Sequence, residues 1–422
     1  MIYDVIVIGG GTSGLMAACA AAQVGAQVLL LEKNPNLGKK LLLTGGTRCN
    51  VTNKRPARYI IDHIPGNGKF LYSAFSRFDN SDIMAFFEER GVALKEEDHG
   101  RMFPVSDSAK TILQTFIDEL KHLKVDIICQ AKLKELEIQG DEVTVHLEDQ
   151  RQFQGRTVVL AMGGRAHPRT GSTGDAYPIL EGLGHTIQAI YPTEVPLTSS
   201  DPFIKKKRLH GLSLRDVKLT VLDAQEKPVV SHKMDMIFTH FGVSGPAVLR
   251  CSMFVQNLLR QGQQKTVHMK LDVLPGRSKE ELIQAYADLQ ADYKAKAIRN
   301  VLKEVVPERY AEFLCQRAKV PALTPCQDLS KKQWAALVHE LKGFSFEVDG
   351  SLSIDKAFVT GGGLTLDEVD PYSMQSKFHP QVFICGELLD LNGYTGGYNI
   401  TAAFVTGHAA GESAAYQAFS MA

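Results

Sequence analysis

A short β-branched run, Tyr3 to Ile8, leads into Gly9-x-Gly11-x-x-Gly14, an Ala-rich segment to about Gln23, and a second apolar run, Gln27 to Leu31, that stops at Glu32. Strand, glycine loop, helix and strand in that order make one βαβ unit. The chemistry of a dinucleotide needs this order. Glycines let the backbone approach a pyrophosphate, the helix start at Thr12 and Ser13 offers N–H groups and positive potential, and the carboxylate of Glu32 accepts from ribose hydroxyls, with Lys33 beside it. A glycine-rich packing turn is the competing reading of the six residues alone. The acid at the end of the second strand argues against it.

With 422 residues the chain exceeds the size at which one core stops growing, so two or three domains are expected. Its 44% hydrophobic and 22% charged residues exclude a disordered or fibrous chain. Seven cysteines stand singly, without CxxC pairs, so neither a zinc site nor a disulfide scaffold is expected, and reduced thiols fit a cytoplasmic protein. No metal site is expected. The apolar N-terminus lacks a basic region and is broken by glycines, unlike a signal peptide, and no stretch is long and apolar enough to span a membrane.

Helical spacing returns at 81 to 90 and 109 to 123, a strand is expected near 125 to 129, and a hairpin over 131 to 147 turns at Gly140-Asp141. Thr157 to Ala161 reads as another buried strand, closed by Met162-Gly163-Gly164. From about residue 191 short strands punctuated by proline (214 to 222, 228 to 239, 265 to 273) suggest an antiparallel barrel or sandwich. A charged helical stretch over 278 to 341 keeps Ile283, Tyr286, Leu289 and Tyr293 in helical register. The first style then resumes. The expected architecture is α/β, a discontinuous Rossmann-like domain (1 to 190 and 343 to 422) interrupted by a β-barrel (191 to 277) and a small helical subdomain (278 to 342).

The C-terminal module indicates which dinucleotide is expected. FICGELLDLNGYTGGYNI, residues 383 to 400, puts Gly386, Glu387 and Asp390 after a strand and Gly396-Gly397 at the start of the last helix. Such a helix start stabilises negative charge on the N1–C2=O side of a reduced flavin, and an acid at a strand end can hold ribityl hydroxyls. A nicotinamide needs neither. Glycines that merely cap strand and helix remain the plainer alternative.

Together GGGTSG (9 to 14), TGGTRCN (44 to 50), LAMGG (160 to 164), TGSTGD (170 to 175), FTHFGVSGPAVL (238 to 249) and GELLDLNGYTGGYN (386 to 399) resemble the BaiN/RdsA-like NAD(P)/FAD-dependent oxidoreductases, over the whole chain. Thr47 departs from the pattern, where related sequences often carry a third glycine. The resemblance implies a tightly held FAD, with contacts reaching Lys40, Thr47, Arg48, Asn50, Leu133, Met162, Gly163, Tyr398 and Asn399, and NAD(P)H as a transient reductant. It implies one of two activities: reduction of a uridine in large-subunit ribosomal RNA to dihydrouridine, or reduction of an unsaturated bile-acid intermediate.

Those two reactions coincide physically, since each adds hydride and a proton across a C=C bond conjugated to a carbonyl. Charge distinguishes the substrates. Residues 201 to 277 hold thirteen Lys or Arg against six acids in a chain of zero formal net charge, and Lys205-Lys206-Lys207-Arg208 concentrates four of them. Such a surplus suits the phosphates of rRNA or a ribosomal precursor better than one bile-acid carboxylate, although a basic face turned to water is the plain alternative. Arg165, His167 and Arg169 are further candidates for substrate contact. No stable protein partner is expected.

Candidate proton donors are Cys49, His240 and Tyr394. An arginine next to Cys49 would favour its thiolate and give it a near-neutral pKa suited to proton transfer. A small buried residue packing the loop is an equal or better reading. The CxxxxC pair of disulfide reductases is absent, because residues 50 to 54 contain no cysteine.

Overall fold

The computed structural model describes residues 1–262 and 264–421. Two compact units divide the chain: Met1–Tyr191 with Ile354–Ala422, and Pro192–Ser353.

The first unit is built on the expected βαβ. Strand β1 (Ile2–Ile8) pairs in parallel with β2 (Val28–Glu32), and helix α1 (Thr12–Gln23) connects them. All five residues of β2 are buried, as a strand covered on both faces requires. The sheet continues outward from β2 to Asp126–Cys129, and on the other side from β1 to Gln152–Leu160 and the antiparallel hairpin Glu142–Leu147 with Leu133–Gln139. Val382–Ile384 adds to Gln152–Leu160 in parallel, so the chain's last strand rejoins the sheet of its first.

Small residues then bring the C-terminal helix, Tyr398–Ser420, onto α1. A Cβ at Gly407 would meet the Ser13 carbonyl oxygen at 2.3 Å, and one at Gly411 would meet that of Ala17 at 2.0 Å. No larger residue fits at either position without separating the helices.

The second unit carries a seven-stranded antiparallel sheet, and its end strands decide its form. Phe344–Val348 forms one edge and Gly350–Ser351 the other. Asp349 alone separates them in sequence, so the two edges lie a residue apart and the sheet is curled into a barrel. The Asp349 amide donates to the Thr198 carbonyl at 3.0 Å and its carboxylate accepts from the Thr198 hydroxyl at 2.7 Å, which fixes that corner. Sequence pattern returns the chain to the first domain at 343, whereas the division falls at Ile354, because Phe344–Val348 pairs with Val267–Asp272.

Two local differences are physical. Pro246–Arg260 is a 15-residue helix that the strand-like spacing around it did not announce. The helical stretch is broken at Ala285 into Lys279–Gln284 and Tyr286–Tyr293, so Leu282 and Leu289 face the core while Ile283 stays 40% exposed.

Candidate functional site

The glycines of the first loop divide by what a side chain would meet. At Gly14 a Cβ would lie 1.8 Å from the Gly9 carbonyl oxygen, and at Gly9, where φ is +110°, 2.4 Å from that of Ala161. At Gly11 nothing lies within 4 Å. Two glycines therefore close the turn, and the third leaves open space before the start of α1. That helix has no side-chain cap and no acid in its first turn, so its first amides and its dipole are free to meet an anion.

Glu32 is buried and holds this loop from behind. One carboxylate oxygen accepts from the Gly10 amide at 2.7 Å, and the other accepts from the amide and the side chain of Asn34, both at 2.7 Å. Three of about four acceptor positions are thus filled, leaving one for a hydroxyl. Asn34 reaches the Thr170 carbonyl at 3.2 Å, and Lys33 bonds Thr173 at 2.6 Å and Asp175 at 2.7 Å. The TGSTGD loop is thereby tied to the end of β2. Lys33, expected at a cofactor, is engaged in that tie. Leu133 opens its hairpin strand as a buried side chain two residues past Ala131, whose amide bonds the Glu32 carbonyl at 2.9 Å.

The C-terminal loop meets the first one. Gly386, at φ +72°, would place a Cβ 2.5 Å from the Ser13 hydroxyl, and Gly397, at φ +95°, would place one 2.9 Å from the Thr52 carbonyl and 3.1 Å from Asn50 Nδ2. Asn53 donates to the Gly396 carbonyl at 3.2 Å, and the hydroxyls of Thr52 and Thr401 share a hydrogen bond of 2.8 Å. The stretch from Thr44 to Asn53, the loop at 9 to 14 and the start of the last helix therefore form one cradle. Gly397 caps the 23-residue final helix with no side-chain cap and no acid in its first turn, so a second helix start is open here. Asn399 clamps the GYTGG loop through Gly393 and Tyr394, at 2.7 to 3.1 Å.

Five buried polar atoms in this unit have no hydrogen-bond partner among the described residues: Asn50 Oδ1, the Tyr177 hydroxyl, Arg90 Nε, Asn392 Nδ2 and His408 Nδ1. Burial raises the Tyr177 pKa, and the charges of Glu387 and Asp390 raise it further. Asn50, against the start of the last helix, fits a polar molecule that completes its bond. Tyr177 escaped sequence reasoning because it lies within a short helix that carries no motif.

Several expected residues have other engagements. Glu387 pairs with Lys40 and accepts from the Thr360 amide at 2.8 Å. The Thr360 hydroxyl in turn accepts from the amides of Arg165 and Ala166, each at 2.9 Å. Thr360 is a second residue missed by motif, hidden in a glycine strand that opens no helix. Asp390 accepts from Asn67 at 3.1 Å. Met162 and Gly163, at φ +72°, follow the strand whose neighbour Ala161 closes against Gly9. His167 lies 5.7 Å from Phe358, and burial, then Lys40, lowers its pKa, which favours the neutral ring. Arg165 and Arg169 are exposed on the same loop.

Cys49 requires a correction. Arg48 points its guanidinium to Glu97 at 2.7 Å and to Asp107 at 3.3 Å, over the Phe103 ring at 4.2 Å. The thiol is 0% exposed, and burial pushes its pKa up to about 12 despite a hydrogen bond with Thr44. The near-neutral thiol expected from Arg48 is absent, since a neutralised cation does not offset burial. Thr47 and Cys49 both sit at left-handed φ, 72° and 62°, which explains why glycine suits position 47.

Tyr394 is buried, its amide bonded to the His63 carbonyl at 3.0 Å, and His63 stacks on Tyr398 at 4.9 Å. The remaining candidates belong to the second unit. His240 is exposed and edge-on to His210 at 5.7 Å, and Lys205, Lys206, Lys207 and Arg208 are all exposed.

Over residues 3–413 the chain matches the family described as HI0933-like protein, Rossmann domain. It belongs to that family. It is 29% identical to the 3-dehydro-bile acid delta(4,6)-reductase of Clostridium scindens, over 97% of this chain and 98% of that protein. It is 28% identical to the ribosomal RNA dihydrouridine synthase of Escherichia coli, over 94% of each. Such whole-length relatives make it an oxidoreductase. Among solved structures, Escherichia coli quinol fumarate reductase FrdA matches at 15% identity, over 100% of this chain and 71% of that one, with a TM-score of 0.50, which shows the fold. Among the described residues no helix is long and apolar enough to cross a membrane, and no His, Cys, Asp and Glu group suits a metal.

Proposed function

We propose that this oxidoreductase holds FAD and reduces a carbonyl-conjugated C=C bond, with NAD(P)H as the reductant and a uridine of 23S ribosomal RNA as the preferred substrate. One observation carries the cofactor: two open helix starts and the orphaned Asn50 Oδ1 belong to one cradle. FAD would supply hydride from its N5 to the β-carbon of the substrate. The amides of Gly11 to Gly14 would hold its pyrophosphate, the remaining acceptor position of Glu32 a ribose hydroxyl, and the start of the last helix the polar edge of the ring. Asn50 fits as a hydrogen-bonding partner there. Lys40 and Thr360 hold Glu387 oriented at the cradle's edge.

In its neutral form His167 can donate one N–H to a substrate carbonyl, and Arg165 and Arg169 offer charge beside it. Cys49 packs the loop. The α-carbon proton falls to Tyr394 or to water rather than to an enclosed thiol.

The substrate preference rests on the exposed cations at 205 to 208, which suit a polyanion. Whole-length likeness to a bile-acid reductase favours the small-molecule reading instead. A protein that binds RNA with a purely structural flavin is the third. Nucleoside mass spectrometry of ribosomal RNA from cells lacking the gene separates them. Loss of one dihydrouridine from 23S RNA is expected, and an unchanged content sinks the RNA substrate. Purified protein should be yellow and bleach with NAD(P)H, whereas a preparation that stays colourless with added FAD sinks the cofactor.

A further inference from the structure

Within the second unit lies a cavity of about 390 Å³, larger than one phosphate and of the size that small ligands fill. Lys206, Arg208 and Arg317 line it together with Phe203, Phe313 and Phe346. Two acids share the wall: Glu347 is in an ion pair, and Asp201 is hydrogen-bonded to a neutral amide, which leaves its charge unpaired. Asp201 accepts from the Glu347 amide at 2.9 Å, and the Glu347 carboxylate pairs with His268 at 3.0 Å. Arg317 pairs with Glu340 at 3.1 Å and lies over Phe344 at 5.0 Å. Lys206 and Arg208 have no carboxylate partner among the described residues, and the Arg208 guanidinium stands 5.9 Å from the Phe313 ring centre.

The wall therefore presents two cations outside any ion pair among the described residues, Lys206 and Arg208, against the single unpaired carboxylate of Asp201, next to aromatic rings. A lone inorganic anion would leave most of the volume unfilled. A single carboxylate would leave one cation unmatched. A ligand with a doubly charged head and a compact, flat apolar part matches both features.

We propose that this cavity binds a phosphate-bearing nucleotide, its phosphate between Lys206 and Arg208 and its base toward Phe313. Taking that nucleotide from an RNA strand rests on the substrate reading above; taking it free in solution does not. In the RNA case the site anchors the strand away from the base that reacts, and affinity depends on counterion release.

The test measures fluorescence anisotropy of a single-stranded RNA hexamer, with competition by uridine 5′-monophosphate and by a bile acid, for the holoprotein and for the double variant Lys206→Ala with Arg208→Ala. Melting temperature and flavin content report that the variant is folded. RNA binding should weaken about 10-fold, and the slope of log affinity against log salt should flatten by about 1.4. Competition by the mononucleotide that disappears in the variant, without any change in RNA affinity, assigns the cavity to a free nucleotide. Equal binding of both nucleotides by variant and parent at every salt overturns the proposal, as does a bile acid that alone competes in a variant-sensitive way. Nucleoside analysis of ribosomal RNA is independent of this result: a failed cavity with dihydrouridine still lost on deletion leaves the substrate reading standing, and the reverse pattern removes only that reading.

Discussion

The cradle of the first unit and the basic run of the second use charge in opposite ways. In the cradle the charged side chains are already paired: Lys33 with Asp175, Lys40 with Glu387, Arg48 with Glu97. What is left open there is mostly backbone, at two helix starts and at the bare Gly11, with Asn50 Oδ1 and one acceptor position of Glu32 beside it. In the second unit Lys205, Lys206, Lys207 and Arg208 are exposed and have no ion pair among the described residues. A permanent cofactor suits the first arrangement, since amides fixed in advance cost no side-chain ordering when they bind. A large, exchanging polyanion suits the second, where mobile cations trade water and counterions for phosphates.

The contrast breaks most visibly at Gly14. Gly14→Ala drives a methyl into the Gly9 carbonyl, which is rigid backbone. Denaturant titration should show a loss of about 3 kcal/mol or more in the first unit, with flavin lost alongside. Anisotropy of the RNA hexamer should change little. Equal loss of both functions would mean that the two sites are not separable.

Cys49→Ala comes next. Removing a small, fully buried sulfur should cost about 1 kcal/mol, and flavin-dependent turnover should persist. Abolished turnover at full flavin content would return the thiol to the chemistry and contradict the packing role.

Acidification sharpens the comparison with the smallest effect. His185 is buried between Glu368 at 3.0 Å and Ser376 at 2.9 Å, and burial lowers its pKa more than the carboxylate raises it. Burial lowers that of His408 too, which stacks on Phe78 at 4.1 Å. Both contribute stability that is complete above about pH 6.5 and declines below it, because the unfolded chain then takes up protons that the folded one resists. His268, in the barrel, behaves oppositely. Burial works against its charge, but hydrogen bonds to Glu226 and Glu347 outweigh that and raise its pKa, so its contribution is present below about pH 6.5 and fades as pH rises past the raised value. Hydrogen exchange at pH 5.5 and 7.5 should show the first unit loosening on acidification and the strands around His268 tightening. Parallel behaviour of both units would remove these histidines as the cause.

Local pattern carried much of this. A strand, three glycines, a helix and an acid are adjacent in the chain, and each is dictated by short-range sterics and periodicity, so β1, α1, β2 and the loop between them were legible. The fold class and the C-terminal strand and helix followed for the same reason. Spacing was less reliable where tertiary burial overrode it, as at Ile283, which is exposed beside a buried Leu282.

What residues Tyr3 to Glu32 and 383 to 400 determined by themselves was two helix starts able to receive negative charge. Only the tertiary structure decided that they share a cradle, that Arg48 spends its charge on Glu97, that Cys49 is sealed, and that Tyr177 and Asn50 are left wanting partners. Pair choice and burial depend on residues hundreds of positions apart, as Ser13 and Gly386 are, and no local window of sequence contains both.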